Sequence, residues 1–200
     1  TVTVKNTNQL TNTGTAKAVI YGPAKIGKTR LALTWPGCIS INTEQGLLSL
    51  RGLGVPYIDA HDKKSLQEAV QWLYSTAANK FPNVLVDSSS DLGEVILGDH
   101  KAASKDPRKA YGNTQDDVME CWRAFRDLPK NVVFIAKETW DASRVPPVVG
   151  PSMPGKFLTQ QLPYMFDGIY RMTHVTFTDG LSRVGLHCKP DFQTTAGDRS

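Results

Sequence analysis

The sequence predicts an α/β protein with a mainly parallel central sheet flanked by helices and with a C-terminal β-hairpin. Three observations support this fold class. Short apolar strands alternate with helical patterns from Ala16 to Leu128, as they do in successive β-α-β units. A glycine-bracketed loop joins the first strand to the first helical pattern. Two alternating segments late in the chain flank "TDG", which is a hairpin turn signal.

Five segments have the apolar character of strands, and three helical patterns lie between them. The predicted strands are Lys17–Tyr21, Cys38–Asn42, Val55–Asp59, Asn83–Asp87 and Asn131–Lys137. The predicted helices are Gly27–Trp35, a helix that follows the capping box Ser65-x-x-Glu68, and Asn113–Leu128. The hairpin would pair Phe166–His174 with Leu181–Lys189. We expect a polar N-terminal tail over residues 1–14, suited to an inter-subunit contact, and one core over residues 15–200.

The composition is that of a globular protein and excludes several other classes. Apolar residues make up 40% and charged residues 21% of the 200 residues, so the chain is neither disordered nor fibrous. No apolar run is long enough to span a bilayer, and no export leader is recognisable, so we expect a cytoplasmic protein. The three cysteines lack zinc-site spacing, and we expect buried, reduced thiols. The net charge of +4 permits a nucleic-acid partner.

The loop "GPAKIGKT", residues 22–29, fits the phosphate-binding pattern G-x-x-x-x-G-K-[ST] at every fixed position. Glycines let the backbone curl so that successive N–H groups point at anionic oxygens. Lys28 would reach the β- and γ-phosphates, and the Thr29 hydroxyl would bind Mg²⁺. We therefore predict ATP and Mg²⁺ as cofactors. The expected nucleotide-contacting residues are Gly22, Pro23, Ala24, Lys25, Ile26, Gly27, Lys28, Thr29, Arg30, Asp87 and Ser88.

Two acidic residues complete the predicted nucleotide site. Asp87 ends the apolar strand "NVLVD" and would be the second Mg²⁺ ligand, although an Asp in this position can also cap a helix. Ser88 would then lie near the metal or a phosphate. Glu44 follows the strand Cys38–Asn42 by two residues, at the strand end where ligands bind in parallel sheets. We expect it to activate water, the alternative being a surface glutamate that begins a helix.

The residues then resemble a family, the RecA-like P-loop ATPases, and more narrowly the phage-encoded RecA-like nucleotide-binding proteins that act as single-strand annealing recombinases. The resemblance covers Ala16 to Ser200. It is carried by "YGPAKIGKTRLAL", "INTEQGLLSL", "VLVDSSSDL", "FRDLPKNVVFIAKE", "PSMPGKFLTQQLPYMFDGIYRM" and "AGDRS". The first segment is shared by all P-loop enzymes, the next three are RecA-like in type and order, and the last two point to the phage group. The resemblance implies a RecA-like P-loop core.

The resemblance also implies catalytic roles beside Lys28. Glu44 matches the glutamate that activates water. Lys137 lies where relatives often carry a Gln or His that senses the γ-phosphate, so a lysine here would either contact phosphate or pair with Glu138 or Asp141. Arg199 matches a basic residue that in many relatives reaches the neighbouring subunit's ATP, although "GDR" lacks the preceding lysine that relatives often show.

In the RecA group two loops face DNA, and this chain has two candidate segments. Gly98–Asn113 would be the first loop, and four basic residues against two acidic ones give it a net charge of +2. Thr139–Lys156 would be the second, a proline-rich loop with aromatic and apolar residues among basic ones. Both could instead be solvated or structural loops. The predicted DNA-binding residues are Lys101, Lys105, Arg108, Lys109, Trp140, Arg144 and Lys156.

The resemblance implies an ATP-dependent single-stranded DNA-binding and annealing protein of phage homologous recombination. It would be an ATPase, slow and DNA-stimulated, and would form a filament or ring with ATP at subunit interfaces. A phage or host single-strand-binding protein is a further expected partner, and a phage protein would act in the bacterial cytoplasm. Three alternatives stay open at this stage: a motor or helicase loader of phage replication, a P-loop kinase, and a nucleotide-gated binding module that hydrolyses very slowly.

Overall fold

In the computed structural model, residues 14–44 and 46–198 are described, and strands alternate with helices along them. The strands are β1 (Lys17–Gly22), β2 (Cys38–Asn42), β3 (Tyr57–Asp59), β4 (Asn83–Asp87), β5 (Asn131–Asp141), β6 (Val148–Pro151), β7 (Gly168–Thr176), β8 (Ser182–His187) and β9 (Gly197–Asp198). The α-helices are α1 (Lys63–Leu73), α2 (Ser89–Ala103), α3 (Pro107–Arg126) and α4 (Gly155–Met165). Short 3-10 helices cover Lys28–Thr34, Leu47–Leu50 and Thr76–Ala78.

The strands of the described residues form one sheet in the order β3-β2-β4-β5-β1-β7-β8. The pairings from β3 through to β7 are all parallel, whereas β6 pairs antiparallel with β5, and β8 and β9 pair antiparallel with β7. The predicted mainly parallel sheet and the C-terminal hairpin are therefore confirmed. β5 lies between β1 and β4, which places its end between the phosphate loop and Asp87.

Alternate residues of the central strands pack on opposite faces of the sheet, as the period of two in a strand requires. On one face, side chains such as Val19, Val86 and Phe134 pack against α1, α2, α3 and α4. On the other face, Ile20, Leu85 and Ile135 meet apolar residues of the 3-10 segments. Both faces are covered, which explains why β1, β2 and β4 are almost entirely buried.

All three segments predicted as helices are helical, but their boundaries or helix type differ from the prediction. The pattern Gly27–Trp35 forms a 3-10 helix, Lys28–Thr34, rather than an α-helix. α1 begins two residues before Ser65, because Asp62 is the N-cap and Ser65 is its capping-box partner, so the Ser65-x-x-Glu68 box was wrong. The third helix begins at Pro107 instead of Asn113, since Asp106 accepts a hydrogen bond from the Arg108 N–H and proline suits the first helical position.

Both segments predicted as DNA-facing loops contain regular structure, so their description as loops was wrong. Residues of the first segment belong to the end of α2 and the start of α3, joined by a turn at residues 104–106. This helical hairpin forms because Ser88 caps α2 and Asp106 caps α3. The second segment forms the outer part of β5, then β6, then the start of α4. β5 therefore extends four residues beyond its predicted end at Lys137.

Some further predictions have mixed outcomes. The late hairpin is formed by β7 and β8 in antiparallel pairing. Cys38 and Cys121 are buried, but Cys188 is exposed, contrary to expectation. No helix in the described part of the chain is long and apolar enough to cross a membrane. Residues 1–13 of the N-terminal tail, for which an inter-subunit contact was predicted, lie outside the described residues. So does Arg199.

Candidate nucleotide-binding site

The ends of four neighbouring strands bring the predicted site together. In the strand registers, Asn42 of β2 lies beside Asp87 of β4, Asp87 beside Ile135 of β5, and Lys137 beside Gly22 of β1. The phosphate loop follows β1, Glu44 follows β2, and Asp87 and Lys137 lie at the same edge. Parallel strands align their carboxyl ends at one edge, which is where ligands bind in sheets of this type.

The backbone of the phosphate loop depends on its glycines for two different reasons. Gly27 has a φ of +104°, in the left-handed region that glycine tolerates best. Gly22 is required by packing, because a Cβ built there would overlap the carbonyl oxygen of Met172 on the adjacent β7. Lys25 also adopts a positive φ, of 63°, which is uncommon for a residue with a side chain.

Lys28 and Thr29 make contacts that define the floor of the site. The Lys28 ammonium donates hydrogen bonds of 2.8 Å to the carbonyl oxygens of Gly22 and Pro23. The Thr29 hydroxyl donates a 2.5 Å hydrogen bond to Oδ2 of Asp87. Burial lowers the pKa of Lys28 and raises that of Asp87. A doubly charged cation beside these oxygens would favour the ionised form of Asp87.

The two predicted metal ligands fit Mg²⁺. A hydroxyl and a carboxylate within hydrogen-bonding distance are the hard oxygen donors that Mg²⁺ prefers, and Mg²⁺ usually keeps waters and phosphate oxygens as its other ligands. Residues 14–44 and 46–198 contain no cluster of three or more His, Cys, Asp or Glu side chains able to hold a metal by themselves. Thr29 and Asp87 would therefore share the ion with a nucleotide.

Glu44 belongs to a small charged cluster that the sequence revealed only in part. Lys137 Nζ lies 2.5 Å from Oδ1 of Asp91 and 3.9 Å from Oε2 of Glu44. The hydrogen bond with Asp91, together with burial and the charges of Asp91 and Asp87, raises the pKa of Glu44 to about 7. Burial alone would raise the pKa of Asp91, but hydrogen bonds from Glu44, Lys137 and Ser88 outweigh it and lower that pKa. These two shifts favour a proton on Glu44 and an ionised Asp91 that accepts a hydrogen bond from it.

Backbone contacts fix both ends of this cluster. The buried Thr43 hydroxyl donates to the carbonyl oxygen of Ser88 and accepts from the Ser88 N–H, at 2.7 Å each, which ties the residue before Glu44 to the end of β4. The backbone N–H of Lys137 donates to Ser90 Oγ at 3.0 Å. The end of β4 and the first turn of α2 therefore link the segment that bears Glu44, after β2, to Lys137 on β5.

A cavity of ≈ 380 Å³ joins these groups into one site. Its lining includes Glu44, Asp87 and Lys137 as well as residues of the phosphate loop and of the 3-10 helix that follows it, namely Ala24, Lys25, Gly27, Lys28, Thr29 and Arg30, together with Ser88 and the unpredicted Ser49. Ile26 instead packs in the apolar core. A larger depression of ≈ 600 Å³ beside β3 is lined by none of the predicted site residues.

Comparison with known proteins is consistent with this site. The AAA domain family matches residues 15–200. The chain belongs to the AAA domain family. No curated protein matches it at a significant level. Among solved structures, it is similar to the flagellar accessory protein FlaH from Methanocaldococcus jannaschii, at 12% identity over 84% of this chain and 77% of that one, with a TM-score of 0.40.

For a member of the AAA domain family, the site has the expected parts of a nucleotide-binding ATPase. The phosphate loop, Thr29 and Asp87 converge at one strand edge, and Glu44 lies beside them. Ser88 lines the cavity, and its side chain also caps α2. Lys137 pairs with Asp91 and Glu44, so the expected pairing with Glu138 or Asp141 was wrong. Glu138 instead pairs with Arg171 at 3.1 Å.

The predicted DNA-binding residues of this AAA-domain chain lie outside the nucleotide cavity. Lys101 is in α2, Lys105 in the following turn, and Arg108 and Lys109 in α3. Trp140 is 53% exposed, and the Arg171 guanidinium lies 5.8 Å from its ring centroid. Arg144 lies 3.6 Å from Asp141, and Lys156 is exposed on α4.

Besides Ser49, sequence reasoning missed Asp91 and Arg171. The Ser88-x-x-Asp91 spacing is a recognisable capping signal and could have located Asp91 at the start of a helix. Nothing local could have located Arg171, which reaches Glu138 and Trp140 only because β7 is a neighbour of β1 in the sheet.

Proposed function

We propose that this ATPase is an ATP-dependent single-stranded DNA-binding and annealing protein of phage recombination, working as a homo-oligomer. The observation that carries the proposal is the course of β5. Ala136 and Lys137 line the nucleotide cavity, and the same strand continues through Trp140 to the hairpin that bears Arg144. A single strand thus runs from the nucleotide cavity to a candidate DNA surface, which supports the proposal that the nucleotide influences DNA binding.

In this proposal the nucleotide site hydrolyses ATP with the residues of the charged cluster. Glu44 orients and deprotonates the attacking water, and Lys28 leaves its two carbonyl partners to bind the phosphates. Mg²⁺ held by Thr29 and Asp87 would neutralise phosphate charge. Asp91 is a positioning residue, because its carboxylate accepts a hydrogen bond from protonated Glu44 and holds Lys137 beside the site. Arg199 of a neighbouring subunit remains a predicted contributor.

The two candidate DNA segments lie side by side, which supports a single DNA surface. Lys101 Nζ lies 5.4 Å from the ring centroid of Tyr111, and a Cβ built on Gly155 would be 3.8 Å from that same ring. Tyr111 therefore connects the α2–α3 hairpin to the start of α4 and to Lys156. Cations contributed from both segments suit a phosphate backbone without reading its sequence.

The test is fluorescence anisotropy of a labelled oligothymidylate at low salt, with a non-hydrolysable ATP analogue, with ADP and without nucleotide. We expect binding to be strongest with the analogue and to weaken steeply as salt is raised. Lys28→Ala should abolish the nucleotide effect while keeping the weak, salt-sensitive binding. Lys80→Ala, which removes an exposed lysine outside both candidate segments, is the matched control and should behave as wild type.

Two results would contradict this function. The first is the absence of oligonucleotide binding at low salt with every nucleotide state. The second is phosphoryl transfer to a nucleoside or nucleotide, which would identify a kinase instead. ATP hydrolysis stimulated by replication proteins and unaffected by single-stranded DNA would point to a loader.

A further inference from the structure

Helix α4 exposes two aromatic side chains along one side. Its buried residues Leu158, Leu162 and Met165 pack inward. Phe157 is 43% and Tyr164 is 75% exposed, and each lies beside a buried residue, about 100° further around the helix. Seven residues are close to two helical turns, so these two rings lie on the same side of the helix, about 10 Å apart along its axis. The outer face of a surface helix is normally polar, so exposed aromatic rings here indicate a binding surface.

A polar cavity adjoins this aromatic face. It has a volume of ≈ 580 Å³ and lies between α4 and the β5–β6 hairpin. From α4, Tyr164 lines it together with Thr159, Gln160 and Gln161. Amide and hydroxyl groups offer both donors and acceptors of hydrogen bonds, and a ring beside them offers a stacking face. Such a combination suits a planar, hydrogen-bonding ligand such as a nucleobase.

The two charged residues that line the cavity, Arg144 and Asp141, lie 3.6 Å apart, and the further charges near them are positive. Arg144 lines it, and Lys156 lies close enough to help lower the pKa of Asp141, which also lines it. Asp141 is the sole acidic residue between Thr139 and Phe166. Lys101 extends the positive surface through its contact with Tyr111, which is 38% exposed beside Gly155. A polyanion carrying bases would therefore find cations at the rim and rings on the helix.

We propose that the outer face of α4 and the adjoining cavity bind the bases of single-stranded DNA. Phe157 and Tyr164 provide stacking platforms, Gln160 and Gln161 hydrogen-bond to base edges, and Arg144 and Lys156 contact phosphates. This inference rests on the proposed function and deepens it, because it assigns base contacts to residues on a helix rather than to the hairpin alone. Base stacking tolerates every sequence, as an annealing protein requires.

The experiment compares Phe157→Ala/Tyr164→Ala with wild type in oligothymidylate binding, using the full chain and a non-hydrolysable ATP analogue. Stacking on two rings predicts binding weaker by roughly tenfold to a hundredfold. The salt dependence of binding should not change, because no cation is removed. Tyr164→Phe keeps the ring and should bind nearly as wild type. Tyr74→Ala, at an exposed tyrosine that ends α1, is the matched control.

An abasic oligonucleotide of the same length isolates the contribution of the bases. Wild type and the double variant should bind this probe equally. The ATPase rate without DNA should be unchanged in the double variant, because neither ring lines the nucleotide cavity. The melting temperature should fall somewhat, because Phe157 is more than half buried, so circular dichroism is used to check that the variant is folded.

Three outcomes would overturn this inference while leaving the proposed function intact. One is an unchanged affinity of the double variant for oligothymidylate. Another is an equal loss on the abasic strand, which would exclude base stacking. The third is a changed oligomeric state with unchanged DNA binding, which would assign the face to a second copy of the chain. If wild type binds no oligonucleotide, the proposed function fails as well.

Discussion

At the residue scale, the candidate site depends on the contacts among three charged side chains. Lys137 lies near both Asp91 and Glu44, and the hydrogen bond with Asp91 raises the pKa of Glu44. The sequence motif identified Glu44 and Lys137 separately. Their relation to each other depends on Asp91, which is brought to them by the first turn of α2. The catalytic role assigned to Glu44 therefore depends on the position of α2.

Glu44→Gln tests the assigned role directly. The amide keeps the size of the side chain and its ability to hydrogen-bond to Asp91, but it cannot accept a proton from water. We expect turnover of ATP to fall by about a hundredfold or more, with nucleotide affinity retained. Steady-state phosphate release and binding of a fluorescent ATP analogue measure the two effects. Glu94→Gln, at an exposed glutamate on α2, is the control, and equal turnover in wild type and Glu44→Gln would remove Glu44 from its role.

The raised pKa of Glu44 also predicts how the stability of the nucleotide-free protein depends on pH. Because the pKa in the folded state is about 7, the folded state binds a proton that the unfolded chain releases near its ordinary pKa of 4.5. The stabilisation from this group is therefore complete below its ordinary pKa and is lost as pH rises through about 7. We expect the melting temperature of Glu44→Gln to exceed that of wild type at about pH 8, and the two to converge near pH 5. If the two melting temperatures differed by the same amount from pH 5 to pH 8, the raised pKa of Glu44 would be contradicted.

At the element scale, the main revision concerns the segment between residues 98 and 113. Its charges and small residues resemble a solvated loop, but two helix ends meet there. Asp106 and Pro107 together start α3, and Ser88 starts α2. Lys101, Arg108 and Lys109 consequently lie on helices, and Lys105 lies in the turn between them. The same holds for Thr139–Lys156, where β5, β6 and α4 replace a flexible loop.

Asp106→Ala tests whether the hairpin of α2 and α3 is helical. Loss of the N-cap leaves the Arg108 N–H without its partner and should lower the free energy of unfolding by about 1 kcal/mol. Urea unfolding followed by circular dichroism measures this change. Asp99→Ala removes the same charge from an exposed helical position and should cost little. Equal effects of the two substitutions would show that capping contributes nothing here.

At the scale of the whole molecule, the order of the strands determines which parts of the sheet connect the nucleotide cavity to the proposed DNA surface. β5 is a neighbour of both β1 and β4, so its end lies between the phosphate loop and Asp87. β7 lies on the other side of β1 and brings Arg171 to Glu138 and Trp140. The nucleotide cavity and the proposed DNA surface are therefore connected through β5 and Arg171. The proposed nucleotide dependence of DNA binding is a property of this arrangement and of no single motif.

The sequence by itself determined the fold class, the phosphate loop and the acidic residues at the strand ends. These features are local, because apolar alternation, glycine positions and capping residues act within a few residues of the chain. Only the tertiary structure decided that Asp91 joins Glu44 and Lys137, that Gly22 must lack a side chain, and that α4 turns aromatic rings to solvent beside a polar cavity. These features arise where distant segments pack together, and local patterns carry no information about which segments those will be.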